Sequence, residues 1–315
     1  MTRVTALIPC YNGERYIAGA VGSVRAQTRP VDEIIVVDDC STDRSADVAR
    51  DAGATVITLS ENAGPSRARN VGLARASGDL VAFLDADDRW TPAHCALTVG
   101  LLERTPEAVL AFGRSALIQF PTLRSSDGLP SGKAVDALNE VLRLNPVTQS
   151  AVVLRRAAAL TAGGYDERMR YSEDYDLWLR LALVGPFICT HQITCWREAH
   201  PAQASRNALP LRRGAWAARA RTLDAVRRTG DRPRQRAAER AAVAAWRYEL
   251  RDGWRSEFTA NLDSALAMRA EVGLPPAPYW TAMIARHVLW WPRQLTRDLW
   301  RRVRGTQLPD ASLIS

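Results

Sequence analysis

The chain has 315 residues, enough for one large domain or a domain with an appendage. It is 47% hydrophobic and 24% charged, as in an ordinary globular protein, and no run of 18 apolar residues predicts a transmembrane helix. The net charge of +8 is uneven: residues 1–200 carry 21 basic and 24 acidic side chains, whereas 201–315 carry 21 and 10 with seven of the ten tryptophans, which predicts two functional parts.

In chain order, Thr5–Pro9 reads as a strand and Glu14–Ala26 as a helix. Glu33–Val37 is a second strand, and Ser41 or Asp43 caps the helix that follows, which Gly53 ends. Thr55–Leu59 is a third strand, Ser66–Ala76 a helix closed by Gly78, and Leu80–Leu84 a fourth strand. Thr91-Pro92 opens the next helix as cap and first residue. Strands alternating with helices predict an α/β fold, with a mainly parallel central sheet and helices on both faces. After Val109–Phe112 the pattern loosens. Pro121–Gly132 reads as a surface loop, Thr148–Leu154 as a strand, Glu173–Val184 as an amphipathic helix, and Phe187–Thr190 and Gln192–Trp196 as short strands. From about Pro210 the chain reads as almost all helix, giving expected parts at 1–209 and 210–315, the first divided near residue 90 (1–90 and 91–209).

Val81-Ala82-Phe83-Leu84-Asp85-Ala86-Asp87-Asp88 is the most telling stretch. An apolar strand ends in three carboxylates within four positions, and strand alternation turns Asp85 and Asp87 to one side. Like charges this close repel, and a hard divalent cation, Mg²⁺ or Mn²⁺, is the usual remedy. Strand tips of open α/β sheets are where ligands bind. Three further polar segments follow the first three strands: Pro9-Cys10-Tyr11-Asn12, Asp38–Asp43 and Glu61–Asn70. Each alone is ordinary loop polarity; together they describe one crevice with an aromatic face, carboxylates and arginine. The five cysteines show no CxxC spacing, which argues against a zinc site or disulfide framework and for a reducing cytoplasm. Met1–Pro9 is too short and too soon interrupted to be a signal peptide.

Ile8-Pro9-Cys10-Tyr11-Asn12, Val36–Asp43, Ala68-Arg69-Asn70-Val71-Gly72, Phe83–Asp88 and Ser172-Glu173-Asp174-Tyr175-Asp176-Leu177-Trp178 together resemble the inverting family-two glycosyltransferases with a GT-A fold. The resemblance spans roughly residues 3–205, with Cys40 standing where the family commonly has Gly. It implies a nucleoside-diphosphate sugar donor, with Pro9, Tyr11, Asn12, Glu14, Asp38, Asp39, Arg69, Asp85 and Ala86 at the nucleotide sugar. Tyr11 would pack on the base and Asp39 would accept an imide N–H, favouring UDP or dTDP, with GDP open. Asp87 would bind Mn²⁺ or Mg²⁺ on the leaving diphosphate, and His200 stands where many such enzymes place a His on a loop that reaches the metal or diphosphate. Asp174 would be the general base, with Glu173 the competing candidate, and the helix dipole is expected to keep Asp174 ionised. Gly164, Tyr165 and Trp178 would border the pocket for a glycan or lipid-linked acceptor hydroxyl.

Two readings compete with this one. A nucleotidyltransferase would need a Gly-rich, Arg-containing loop after the first strand, where this chain has Pro9–Glu14 with one glycine. An inactive transferase-like adaptor would rely on the basic tail. In Tyr279–Arg304, Trp280, Ile284, Val288, Trp291, Leu295 and Leu299 share one helical face and Arg286, Arg293, Arg297, Arg301 and Arg304 the other. That pattern suits an anionic membrane, hence a peripheral place on the inner face of the cytoplasmic membrane, or a helix docked on its own domain. No nucleic-acid reader motif appears, and nucleic acid is not an expected partner.

Overall fold

The computed structural model describes residues 2–118, 123–124, 129–200 and 208–253. All of these lie in one compact unit, Met1–Gly273; Leu274–Ser315 forms a second unit. The basic stretch Tyr279–Arg304 lies outside the described residues.

Four strands form the parallel core: β1 (Val4–Cys10), β2 (Glu33–Asp38), β3 (Thr55–Thr58) and β4 (Leu80–Phe83), in the order β3-β2-β1-β4. β1 and β4 are apolar on both faces because helices cover both sides of a parallel sheet. Their connectors are α1 (Ile17–Arg25), α2 (Ser45–Asp51) and α3 (Pro65–Arg75). Gly72 lets α3 lie directly on β1: a Cβ there would meet Leu7 Cδ1 at 2.0 Å. α2 begins at Ser45 with Arg44 at its N-cap, so neither Ser41 nor Asp43 caps it as expected: Ser41 Oγ accepts from the Asn12 N–H, and Asp43, one residue ahead of the cap, accepts from the Ser45 backbone N–H at 2.9 Å.

Beyond β4 the sheet becomes mixed. β5 (Arg89–Trp90), β6 (Leu110–Leu117), β7 (Leu123–Arg124), β8 (Val152–Arg155) and β9 (Phe187–Arg197) extend it in the order β4-β8-β6-β9-β5, with β7 on β6. β8 runs antiparallel to both β4 and β6, while β6 and β9 are parallel. The two short strands expected at 187–196 are one strand. The β6–β9 register shifts between Phe112 and Arg114, where Gly113 admits Thr194 so closely that a Cβ would lie 2.3 Å from its side chain. The loop expected at 121–132 contributes the two residues of β7.

α4 (His94–Arg104) starts two residues after Pro92, because Thr91 spends its hydroxyl on the Ile193 carbonyl rather than on a helix end. The sequence reading missed α5 (Leu138–Arg143) and α6 (Arg156–Thr161), each a six-residue helix too short to show a period. α7 (Glu173–Val184) begins and ends where its pattern predicts. α8 (Ala208–Arg228) and α9 (Arg232–Gly253) pack back on this body. Trp216 is buried, Arg221 pairs with buried Asp176 at 2.6 Å, and Arg234 reaches Asp136 at 3.6 Å. The helical region is therefore built into the first unit well past residue 209. No helix among the described residues is long and apolar enough to cross a membrane.

Candidate active site

A crevice of about 1020 Å³ opens across the carboxyl ends of β1, β2 and β4 and is closed by the start of α7 and by α8. At its first end Pro9, Tyr11, Asn12 and Asp39 line the wall. Tyr11 is half exposed, its ring free to accept a stacking partner. Asn12, in the left-handed region at φ 49°, accepts from the Thr42 N–H at 2.8 Å and donates its own N–H to Ser41 Oγ at 2.9 Å, tying the first two strand-tip loops together. Asp39 accepts from the N–H groups of Ala63 and Gly64 at 2.9 and 2.8 Å, which binds the third loop to the second. Each of its oxygens keeps a lone pair for a further donor. Cys40 lies at φ 62°, backbone that glycine adopts without strain.

Arg69 forms the middle of the floor. Its guanidinium, almost wholly buried, joins Asp85 at 2.7 Å to Glu173 at 2.8 Å and lies 5.4 Å from the centre of the Tyr165 ring. The two carboxylates hold Arg69 protonated well beyond the ordinary arginine range despite its burial.

The acidic motif converges differently from the expectation. β4 ends at Phe83, and Asp85–Asp88 form a turn closed by the Asp88 N–H on the Asp85 carbonyl at 3.1 Å. A turn, not strand alternation, sends the three carboxylates to separate partners. Asp85 meets Arg69, Asp87 meets His200 Nε2 at 2.9 Å, and buried Asp88 accepts from Ser150 Oγ at 2.6 Å and the Glu198 N–H at 3.2 Å. Burial, and then the charges of Asp85 and Asp87, push the Asp88 carboxyl well above the usual carboxylate range. His200 stacks on Tyr16, ring centres 5.2 Å apart and planes 20° from parallel.

The three acidic residues opening α7 also diverge. Glu173 is held by Arg69, and Asp176 turns into the core onto Arg180 and Arg221. Asp174 lines the crevice and accepts one hydrogen bond, from the Tyr175 N–H at 2.7 Å. Desolvation first, and then the Glu173 charge, raise its pKa to about 7. The expectation that the helix dipole keeps it an ordinary acid is reversed, because enclosure by protein outweighs one helical end.

Several expected site residues stand behind the crevice and do not line it. Asp38, the last residue of β2, is buried below the sheet edge, one residue out of phase with Asp39. Glu14 braces the α2 entrance by accepting from the Arg44 N–H at 3.1 Å. Trp178 is wholly buried, on the core face of α7. Tyr165 is buried with its hydroxyl on Gln149 at 2.9 Å, and Gly164, at φ 66°, lets Asn70 clamp the Tyr165 backbone at 2.8 and 2.9 Å. These three stand behind the floor and do not line the crevice. Ala86 does line the crevice. The sequence reading missed Tyr16, Gln149, Arg170, Arg212 and Arg219, all in the wall. Only Tyr16 carried a local signal, five residues after Tyr11; the others arrive from distant parts of the chain.

Among the described residues, no group of three or more His, Cys, Asp or Glu side chains converges on one point. Asp87 and His200 offer two donor groups, and a Mg²⁺ or Mn²⁺ site completed by substrate phosphates and water needs no more than one or two protein ligands. The donor set therefore fits such an ion.

The sequence profile of "Glycosyl transferase family 2" matches residues 5–145. A putative teichuronic acid biosynthesis glycosyltransferase, TuaG, of Bacillus subtilis is 38% identical over 141 residues, which is 42% of this chain and 52% of that protein. The chain thus spans about half the length of that relative. The amylovoran biosynthesis glycosyltransferase AmsE of Erwinia amylovora is 29% identical over 189 residues, covering 58% of this chain and 70% of the relative. Among solved structures, S. aureus TarS 1–349 in complex with UDP-GlcNAc superposes with a TM-score of 0.66 at 17% identity, covering 86% of this chain and 80% of the other. The mannosyltransferase PcManGT of Pyrobaculum calidifontis, in complex with GDP-Man and Mn²⁺, superposes with a TM-score of 0.57 at 20% identity, covering 91% and 80%. Residues 5–145, which carry the strand-tip crevice's first loops and the ordered acidic motif, are thus similar to glycosyl transferase family 2, and the α/β fold is of the GT-A type.

Proposed function

We propose that the chain is a metal-assisted, inverting glycosyltransferase that moves a sugar from a nucleoside diphosphate to a hydroxyl of a glycan or lipid-linked acceptor. The observation that carries this reading is Asp174, a crevice carboxylate with a pKa of about 7, beside the strand-tip acidic cluster. A base poised near the working pH is what proton abstraction from an alcohol requires. As the acceptor oxygen bonds to the anomeric carbon, its proton passes to Asp174 and the bond from that carbon to the diphosphate oxygen breaks. Glu173 is engaged by Arg69, leaving Asp174 as the one crevice carboxylate of α7 available as base, which suits a single displacement with inversion. Tyr11 packs against the nucleobase and Asp39 accepts its imide N–H, favouring UDP or dTDP. Asp85 meets the ribose side. Asp87 and His200 hold a divalent cation, which supplies Lewis-acid stabilisation of the departing diphosphate.

The relatives' names and the donors bound in the similar structures support a nucleotide-sugar donor. The test is release of nucleoside diphosphate from UDP-, dTDP- and GDP-sugars, with Mn²⁺ and with chelator. Turnover with no donor by a folded chain would overturn the reading. The same proposal puts the enzyme at an inner membrane surface reached through Tyr279–Arg304. Failure of the chain to co-sediment with anionic vesicles would remove that part alone.

A further inference from the structure

The residue just before the two carboxylates of α7 is held in an unusual way. Ser172, the N-cap, is buried and lies in the left-handed region at φ 59° and ψ 25°. That backbone is unfavourable for any residue with a Cβ, and a serine at a helix start ordinarily sits in extended backbone and caps the helix with its hydroxyl. Ser172 does neither. It makes no side-chain cap bond to α7, and its Oγ donates instead to the Leu211 carbonyl of α8 at 2.8 Å. A left-handed residue other than glycine persists only where its surroundings over-determine it, and such residues gather at functional sites.

α8 supplies that constraint at two levels. Gly214 lies so close that a Cβ there would stand 2.5 Å from the Tyr171 carbonyl oxygen and 3.3 Å from Ser172 Cβ. One turn further along α7, Arg221 of α8 pairs with buried Asp176 at 2.6 Å, and the Asp176 N–H closes the first turn on the Ser172 carbonyl at 3.0 Å. α8 thus fixes both ends of the turn that carries Glu173 and Asp174. Successive helical residues point about 100° apart. The rotational setting of this one turn decides that Glu173 meets Arg69 and that Asp174 lines the crevice. Around Asp174 stand Glu173 on its own helix, Arg69 from α3, Asp85 from the turn after β4, Tyr165 behind Arg69, and Arg212 and Arg219 of α8 in the same wall.

We propose that Ser172 is a positioning residue for the base: its left-handed backbone, locked onto α8 through the Leu211 carbonyl, aims Asp174 at the acceptor hydroxyl. The inference rests on the reading of Asp174 as that base. It brings α8, which lies outside the matched residues 5–145, into the control of proton transfer.

The test is kinetic and spectroscopic, on the full chain. Ser172→Ala keeps the Cβ that disfavours the backbone and loses the tie to α8. It lowers kcat by about tenfold or more, while donor KM and UDP affinity stay within about twofold. Ser172→Gly, which adopts the left-handed backbone freely, recovers most of that loss. Gly214→Ala favours the helix by propensity but pushes α8 off Tyr171, so it gives the same fall in kcat and keeps the test decisive should S172A fail to fold. The readout that a merely structural role would leave alone is the Asp174 carboxyl, followed by carbon NMR and assigned with D174N. In S172A and G214A it titrates below the wild-type value of about 7, towards ordinary aspartate, as the carboxylate turns out to water. An unchanged kcat, or an Asp174 titration unmoved in both variants, overturns the proposal. So does a glycine variant as slow as the alanine one, or a loss of UDP affinity as large as the loss of kcat. A wild type with no turnover on any donor sinks the glycosyltransferase reading instead, and the Asp174 titration still decides this one.

Discussion

The two halves of the sheet build their parts of the crevice by different means. In β3-β2-β1-β4 each strand is joined to the next through a helix, and the functional loops are the strand tips themselves, tied by backbone hydrogen bonds to Asn12 and Asp39. In β8-β6-β9-β5 the neighbours are antiparallel or far apart in sequence, and the crevice wall comes from α7, α8 and the end of β9. There, position depends on ion pairs and buried side chains. Arg69, on α3, is the joint between the halves, one hand on Asp85 and the other on Glu173. The first half is thus a preorganised receptor, and the second is an assembly of distant pieces.

The contrast can be broken most forcefully at Asp174. Asp174→Asn should lower kcat by about 10²–10⁴ with donor affinity unchanged, read by diphosphate release and nucleotide titration. A comparable loss in Glu173→Gln at intact stability would move the base to Glu173. In the wild type, kcat should fall about tenfold per pH unit below the Asp174 pKa of about 7. Stability runs the other way. A carboxyl whose folded pKa is raised above 3.8 contributes stability that is present in acid and lost as pH rises towards about 7. The Asn variant should therefore melt above the wild type at pH 8 and close to it at pH 4, a convergence in acid that thermal scans would show.

At the joint, Arg69→Met strands Asp85 and Glu173 in a largely buried place and should cost about 3–5 kcal/mol of stability, measured by urea unfolding. A loss below about 1 kcal/mol would mean that the halves are joined without this pair. A smaller effect tests how the end of β9 is steadied over the first half. Tyr16→Ala removes the ring beneath His200 and should weaken Mn²⁺ binding by about two- to tenfold, followed by paramagnetic resonance; Tyr16→Phe should restore it. The least effect belongs to the first half's own backbone. Cys40→Gly relieves a left-handed residue and should raise stability by about 1 kcal/mol.

Legibility followed the same division. Asp39, Asp87, Tyr11 and Asn12 were readable because each follows an apolar strand within one short loop, and the loop lands where the strand ends. Asp38 and Glu14 were read into the same loops, but strand phase and an N–H of α2 took their side chains elsewhere. Trp178 and Tyr165 look like pocket aromatics in a linear motif; packing put both in the core. Arg212 and Arg219 could not be found, since a helix distant in sequence shows no period that points to a crevice.

From the sequence alone came the parallel core, the helix at 173–184, the acidic strand-tip motif and the resemblance it carries. All of these depend on spacings of a few residues, which local geometry converts directly into position. Only the tertiary structure decided that Asp85–Asp88 is a turn serving three partners, that Glu173 is spent on Arg69 while Asp174 stays poised near pH 7, and that α8 brings arginines to the wall. Those outcomes are set by burial and by charges more than a hundred residues apart, and neither quantity exists until the chain has closed on itself.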